Sequence, residues 1–145
     1  RSWLPDAIGG LYWVYEDNQY VGPYVPIYAG VSEINPLYQT YNPEQFDEGS
    51  ARWNYDFVDN LMYLKWQEAW EDVRPVRDSL QQATFEEMKA IDRKAAELYQ
   101  QDPEKAKEYV TRYSSQKMEE LVEAYRKLRY KLLVKYTNNN QGINF

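Results

Sequence analysis

The chain has 145 residues, a formal net charge of −6 and an aromatic content of 17%, with 15 Tyr and 5 Trp, and it contains neither Cys nor His. That length builds one domain with a real core and is too short to expect two. Without Cys these residues hold no disulfide, thiolate zinc site or cysteine nucleophile; without His they lack the commonest general base and metal ligand, and a Ser-His-Asp triad is excluded within them.

Residues 1–43 read as strands and turns. Leu4-Pro5-Asp6 and Gly9-Gly10 carry turn chemistry. Leu11 to Tyr15 is a short, nearly continuous aromatic and aliphatic run, ended by Glu16-Asp17-Asn18, and it predicts a strand covered on both faces. Gly22-Pro23 opens a second strand over 24–30. Pro26 lies inside it and cannot donate to a ladder, so this is an edge strand or an extended segment. Asn35-Pro36 and Asn42-Pro43 mark further turns.

Residues 44–137 read as helices and 138–145 as a polar tail. The first helix starts near Pro43 or Ser50. Its apolar positions fall in two rows, Trp53, Phe57, Leu61, Leu64 and Val58, Met62, Trp66, Ala69, Trp70, Val73, a stripe wide enough to lie between two layers. Pro75 predicts an end or a kink near Arg74. A second helix carries Leu80, Phe85, Met88, Ile91, Ala95 and Leu98 and stops at Asp102-Pro103, a natural cap followed by a first-turn proline. Ala106 to Tyr113 predicts a short third helix, and Ser114-Ser115 can cap a fourth. In that one Met118, Leu121, Tyr125, Leu128 and Leu132 step by three and four, the seam of a helix packed near antiparallel against a neighbour. The fold class that follows is α+β and mostly α by content. It is a short amino-terminal strand pair within residues 11–30, then an antiparallel bundle of three to four helices, in a single unit over 1–145.

The charge is unevenly spread. Residues 1–72 hold twelve acids and three bases, and residues 73–145 hold eleven acids and fourteen bases. The bases of the second half alternate with Glu at helical spacing, the pattern of a solvated helix face. An acidic chain is a poor partner for nucleic acid, and no stretch approaches the ~18 apolar residues that span a bilayer. Ser2 is preceded by Arg1, so it has no free α-amine to act as its base. The acidic pairs Glu16-Asp17, Asp47-Glu48, Asp56 with Asp59 or Asn60, and Glu68 with Asp72 could do acid–base work only if two faced each other across a cleft, and solvated faces are the simpler reading. Trp13, Tyr15, Tyr20, Tyr24 and Tyr28 read first as packing residues.

The strings Leu4-Pro5-Asp6…Gly9-Gly10-Leu11-Tyr12-Trp13-Val14, Tyr24-Val25-Pro26-Ile27-Tyr28-Ala29-Gly30 and Ser50-Ala51-Arg52-Trp53…Phe57-Val58-Asp59-Asn60-Leu61 occur in an order and spacing that resembles the carboxy-terminal part of the bacterial cysteine dipeptidases. This is the dipeptidase A family, related to the secernins, within the N-terminal-nucleophile hydrolases. The resemblance implies a fragment of a four-layer αββα fold with a helical extension. It also implies a cysteine hydrolase that cleaves dipeptides through an acyl-enzyme, using the α-amine of its own first residue as base and neither metal nor cofactor.

The chain departs from that pattern in having no cysteine. No catalytic residue therefore carries over to any position here, and the nucleophile would lie upstream in the same polypeptide. What carries over is structural: strands 11–15 and 24–30 as late strands of the sheet, and helices within 50–137 as the outer layer. Tyr24 and Tyr28 are the candidate pocket-wall residues in the complete protein. The implied partners are the upstream catalytic part, a dipeptide substrate and, for the isolated piece, a second copy of itself, with no nucleic acid and no membrane. The compartment stays open between cytoplasmic and exported. The rival reading is a free-standing helical interaction or ligand-binding module with an aromatic hairpin.

Overall fold

A computed structural model describes residues 1–137; the polar tail expected over 138–145 lies outside the described residues. The chain is mostly helical, with one small antiparallel sheet near the amino terminus. A single helical turn, α1 (Asp6–Gly9), precedes strands β1 (Leu11–Val14) and β2 (Val25–Tyr28). A 3-10 turn at Pro36–Tyr38 leads to α2 (Ala51–Met62), α3 (Trp66–Gln101) and α4 (Pro103–Thr137).

Two of these helices dominate. α3 and α4 have 36 and 35 residues, so each is about 50 Å long at 1.5 Å per residue. They form an antiparallel pair turned at Asp102, whose Oδ1 accepts from the Glu104 amide while Pro103 occupies the first helical position. The seam expected on the last helix is the core: Met118, Leu121, Tyr125, Leu128 and Leu132 are all buried. α2 lies across the carboxy-terminal half of α4, packing Tyr55, Val58 and Met62 against it, and the Tyr55 and Tyr125 rings meet edge to face at 4.8 Å.

Four expectations need correction. α2 ends at Met62, and the chain turns over Tyr63–Lys65, where the Leu64 and Lys65 amides bond back to Leu61 and Met62. Pro75 does not end a helix; it sits on the exposed side of α3, where water can satisfy the Glu71 carbonyl that loses its partner. Ser114-Ser115 caps nothing either, because α4 runs unbroken through both. Ser114 donates to the Pro26 carbonyl at 2.9 Å and Ser115 accepts from Asn35 at 2.8 Å, so the two hydroxyls tie α4 to the hairpin and the loop after it. Finally, β1 is half open rather than covered on both faces, with Tyr12 68% exposed.

The wide apolar stripe is covered as far as Leu61, its outer row by irregular chain instead of a second layer, whereas Leu64 beyond α2 is exposed. Phe46 packs on Trp53 and Phe57, and the Trp53 indole donates to the Asn42 carbonyl. Ser50 caps α2 by accepting from the Trp53 amide.

The hairpin has two unlike edges. Leu11 pairs with Tyr28 and Trp13 with Pro26, and the Ala29 amide bonds to the Gly10 carbonyl. That phase turns the amides and carbonyls of Tyr12 and Val14 toward β2 and those of Leu11 and Trp13 to the outer edge. The outer edge of β2 is closed, because Pro26 has no N–H and its carbonyl is taken by Ser114. The outer edge of β1 faces no other strand among the described residues.

Candidate functional site

Tyr28 and Tyr24 part company in the structure. Tyr28 is 1% exposed, with its hydroxyl donating to Asp92 at 2.9 Å, its ring edge-on to Tyr113 and the Arg1 guanidinium 5.1 Å over its face. Burial first, and then the adjacent Asp92 carboxylate, push its phenol well above the usual tyrosine range. It is a core side chain that anchors the amino terminus to α3.

Tyr24 instead lines a cleft of about 290 Å³ between the loop that joins the strands and one row of α3. Arg77, Gln81 and Phe85, spaced by four, share that row and form its far wall. The Tyr24 amide donates to Gln81 Oε1 at 2.9 Å, and the Tyr24 ring is held edge-on by Tyr15 at 5.4 Å. Arg77 is paired with Asp78 at 2.6 Å, bonds to the Tyr20 carbonyl, and lies 4.9 Å over Trp70. Phe85 is edge-on to Trp13 at 5.1 Å.

A carboxylate cluster lies on the other side of the strand-joining loop. Asp17 takes φ 66°, the left-handed region, and this turns the chain between the strands. Its side chain is 13% exposed and faces Arg52 at 3.4 Å. Asn18 donates to Asp59 Oδ1 at 2.9 Å. Burial raises the Asp17 carboxyl above its ordinary range, the Asp56 and Asp59 charges raise it further, and Arg52 pulls the other way. Glu16 and Asp59 are raised as well, each chiefly by burial. Glu16-Asp17 and Asp56/Asp59 thus form one partly buried acidic group, which the solvated-face reading of these residues did not anticipate.

In the other acidic pairs Glu68 is exposed, and the remaining carboxylates are structural. Asp72 is bound by Lys131, Lys135 and Tyr136, Glu48 by Arg129 and Tyr130, and Asp47 accepts from the Gly49 amide. A larger groove of about 510 Å³ runs between residues 32–36 and α4, but Ser32 bonds to Thr111 there and Asn35 to Ser115 and Glu119, so its polar walls hold each other. No group of three or more acidic residues is arranged to hold a metal ion among the described residues. No helix among them is long and apolar enough to cross a membrane.

Arg77 and Gln81 were not singled out by sequence reasoning, although their spacing of four from Phe85 was available. The position of Asp17 at a left-handed turn had no signal beyond the Glu16-Asp17-Asn18 break. Compared with known proteins, the chain matches no family profile, no curated protein and no solved structure.

Proposed function

We propose that this chain is the carboxy-terminal region of a dipeptidase-like cysteine hydrolase, in which the nucleophile and most of the central sheet are supplied by upstream residues of the same polypeptide. The reading begins from the ordered strings that resemble that family. One observation carries it further: among the described residues the outer edge of β1 presents the backbone groups of Leu11 and Trp13 to no other strand, while on the outer edge of β2 Pro26 has no N–H and its carbonyl is taken by Ser114. A hairpin open on one side only suits the last two strands of a larger sheet. In this role α2, α3 and α4 are the outer layer that fixes the hairpin, and Tyr24 walls part of the substrate pocket. Without a cysteine or histidine the piece has no catalytic group of its own for the reaction and is inactive alone. In isolation the open edge recruits a second copy.

The test is dipeptide hydrolysis by the natural gene product and by this 145-residue chain, with the first residue of the mature product determined. A product that begins with Cys and hydrolyses dipeptides, beside an inert 145-residue chain, is the expected result. A natural product that has no such cysteine and no hydrolysis would leave the second reading, a free-standing interaction or ligand-binding module. That reading draws on the three hydrophobic clusters, which already bury the seams of all three long helices without further chain.

A further inference from the structure

We infer that two copies of this chain join edge to edge through β1 in one register, with Tyr12 facing Tyr12 of the second copy across a two-fold axis. The inference deepens the reading of the open β1 edge and rests on it. That reading has the isolated chain recruit a second copy; the composition and phase of the strand specify how.

β1 is Leu11-Tyr12-Trp13-Val14, without a charge, a proline or a glycine. Edges that must stay single carry lysine or proline, and β1 has neither. β2 is unlike it. On its outer side Pro26 has no N–H, the Pro26 carbonyl accepts from Ser114, and the Tyr28 carbonyl accepts from the Val31 amide. The hairpin therefore offers β1 alone for pairing. Two such edges consume each other, so association closes at two copies instead of growing into a filament.

The register follows from the ladder. Leu11 and Trp13 turn their amides and carbonyls to the open side, and they lie symmetrically about Tyr12. An antiparallel second copy centred on Tyr12 sets each Leu11 opposite the other copy's Trp13, and every outward backbone group of β1 then has a partner. Centring on Leu11 would place Trp13 against Gly9, which is in α1, and centring on Trp13 would place Leu11 against Tyr15, past the end of β1. In the Tyr12 register the two Tyr12 form the close, non-hydrogen-bonded pair on one face, with Cα atoms about 4.5 Å apart. Tyr12 is 68% exposed in the single chain, and across the axis its ring gains an aromatic neighbour.

The chain has no cysteine, so one introduced thiol reports the register. Tyr12→Cys, oxidised mildly at a concentration where the parent sediments as a dimer, should cross-link nearly completely, because Cα atoms about 4.5 Å apart are within disulfide reach. Tyr15→Cys, also at an exposed position, would lie about 20 Å from its counterpart and should stay unlinked. Tyr12→Lys sets like charges opposite each other and should weaken the dimer about tenfold in sedimentation, with the parental helix signal kept in circular dichroism. A parent that stays monomeric at millimolar concentration or grows past the dimer would overturn the inference. So would thiols at positions 12 and 15 that cross-link equally, or a Tyr12→Lys chain that dimerises as tightly as the parent. These outcomes concern the isolated chain and leave dipeptide hydrolysis by the natural product as the separate test of the hydrolase reading.

Discussion

At the scale of single residues, two buried charges behave in opposite ways. Arg129 is 2% exposed, reaches Glu48 at 2.6 Å, and lies within 6 Å of the Phe46, Phe57 and Tyr130 rings. A planar guanidinium can stack on these rings while bonding outward along its edge, and a lysine ammonium cannot do both. Arg129→Lys should therefore lower stability by about 1–2 kcal/mol in urea denaturation; an unchanged midpoint would mean that charge alone matters there. Asp17 is the reverse case, a carboxyl held above its ordinary range by burial and by the Asp56 and Asp59 charges. A carboxyl raised in this way binds its proton more tightly in the folded chain than in the unfolded one. Its contribution is therefore favourable below the ordinary carboxylate range and is lost as pH rises through the raised value. Asp17→Asn tolerates the left-handed turn and removes the charge, so it should stabilise the fold near neutral pH. The gain should vanish when the same denaturation is run at about pH 3, where the parent carboxyl is protonated as well. A variant less stable than the parent at neutral pH would show that the Arg52 pair outweighs the burial.

At the scale of elements, the Ser114–Pro26 bond joins hairpin to helix. The Ser114 hydroxyl is buried and its acceptor is the outward carbonyl of a strand residue. Ser114→Ala improves local helix propensity yet orphans that carbonyl, and a net loss of about 1–2 kcal/mol is expected in thermal or chemical denaturation. A neutral outcome would mean that the hairpin is held by Val25, Tyr28 and their apolar contacts alone. This bond also marks where reading the sequence stopped working. The seam of α4, the Ser50 cap and the Asp102-Pro103 turn were legible because each is set by spacing or by a residue's own backbone preference. Ser114-Ser115 was read as a cap because serine favours caps when nothing distant competes, and here a strand 88 residues away competes. Pro75 was read as an end or a kink for a similar reason: its local cost is real, but on an exposed face the long packed helix continues through it. The candidate cleft was half visible. Tyr24 was singled out, whereas Gln81 gains meaning only once the Tyr24 amide is seen to lie against it.

At the scale of the whole molecule, the helices close on themselves and the hairpin does not. Three hydrophobic clusters run along the α3–α4 pair, joined at one end by α2 and at the other by α1 and β2. The β1 side adds exposed Tyr12 and Tyr15 beside a strand edge that is unpaired among the described residues. Such an edge pairs with whatever strand it meets. The isolated chain should accordingly associate in a concentration-dependent way in sedimentation experiments. The proposal that this edge is the seam to a catalytic sheet makes a sharper demand on two backbone groups. Hydrogen exchange at the Leu11 and Trp13 amides, measured in the natural gene product and in the dilute 145-residue chain, tests it most directly. The account predicts strong protection of both amides in the natural product and fast exchange in the dilute chain. Fast exchange of both in the natural product would contradict it, since the edge would then be free where the missing sheet should cover it.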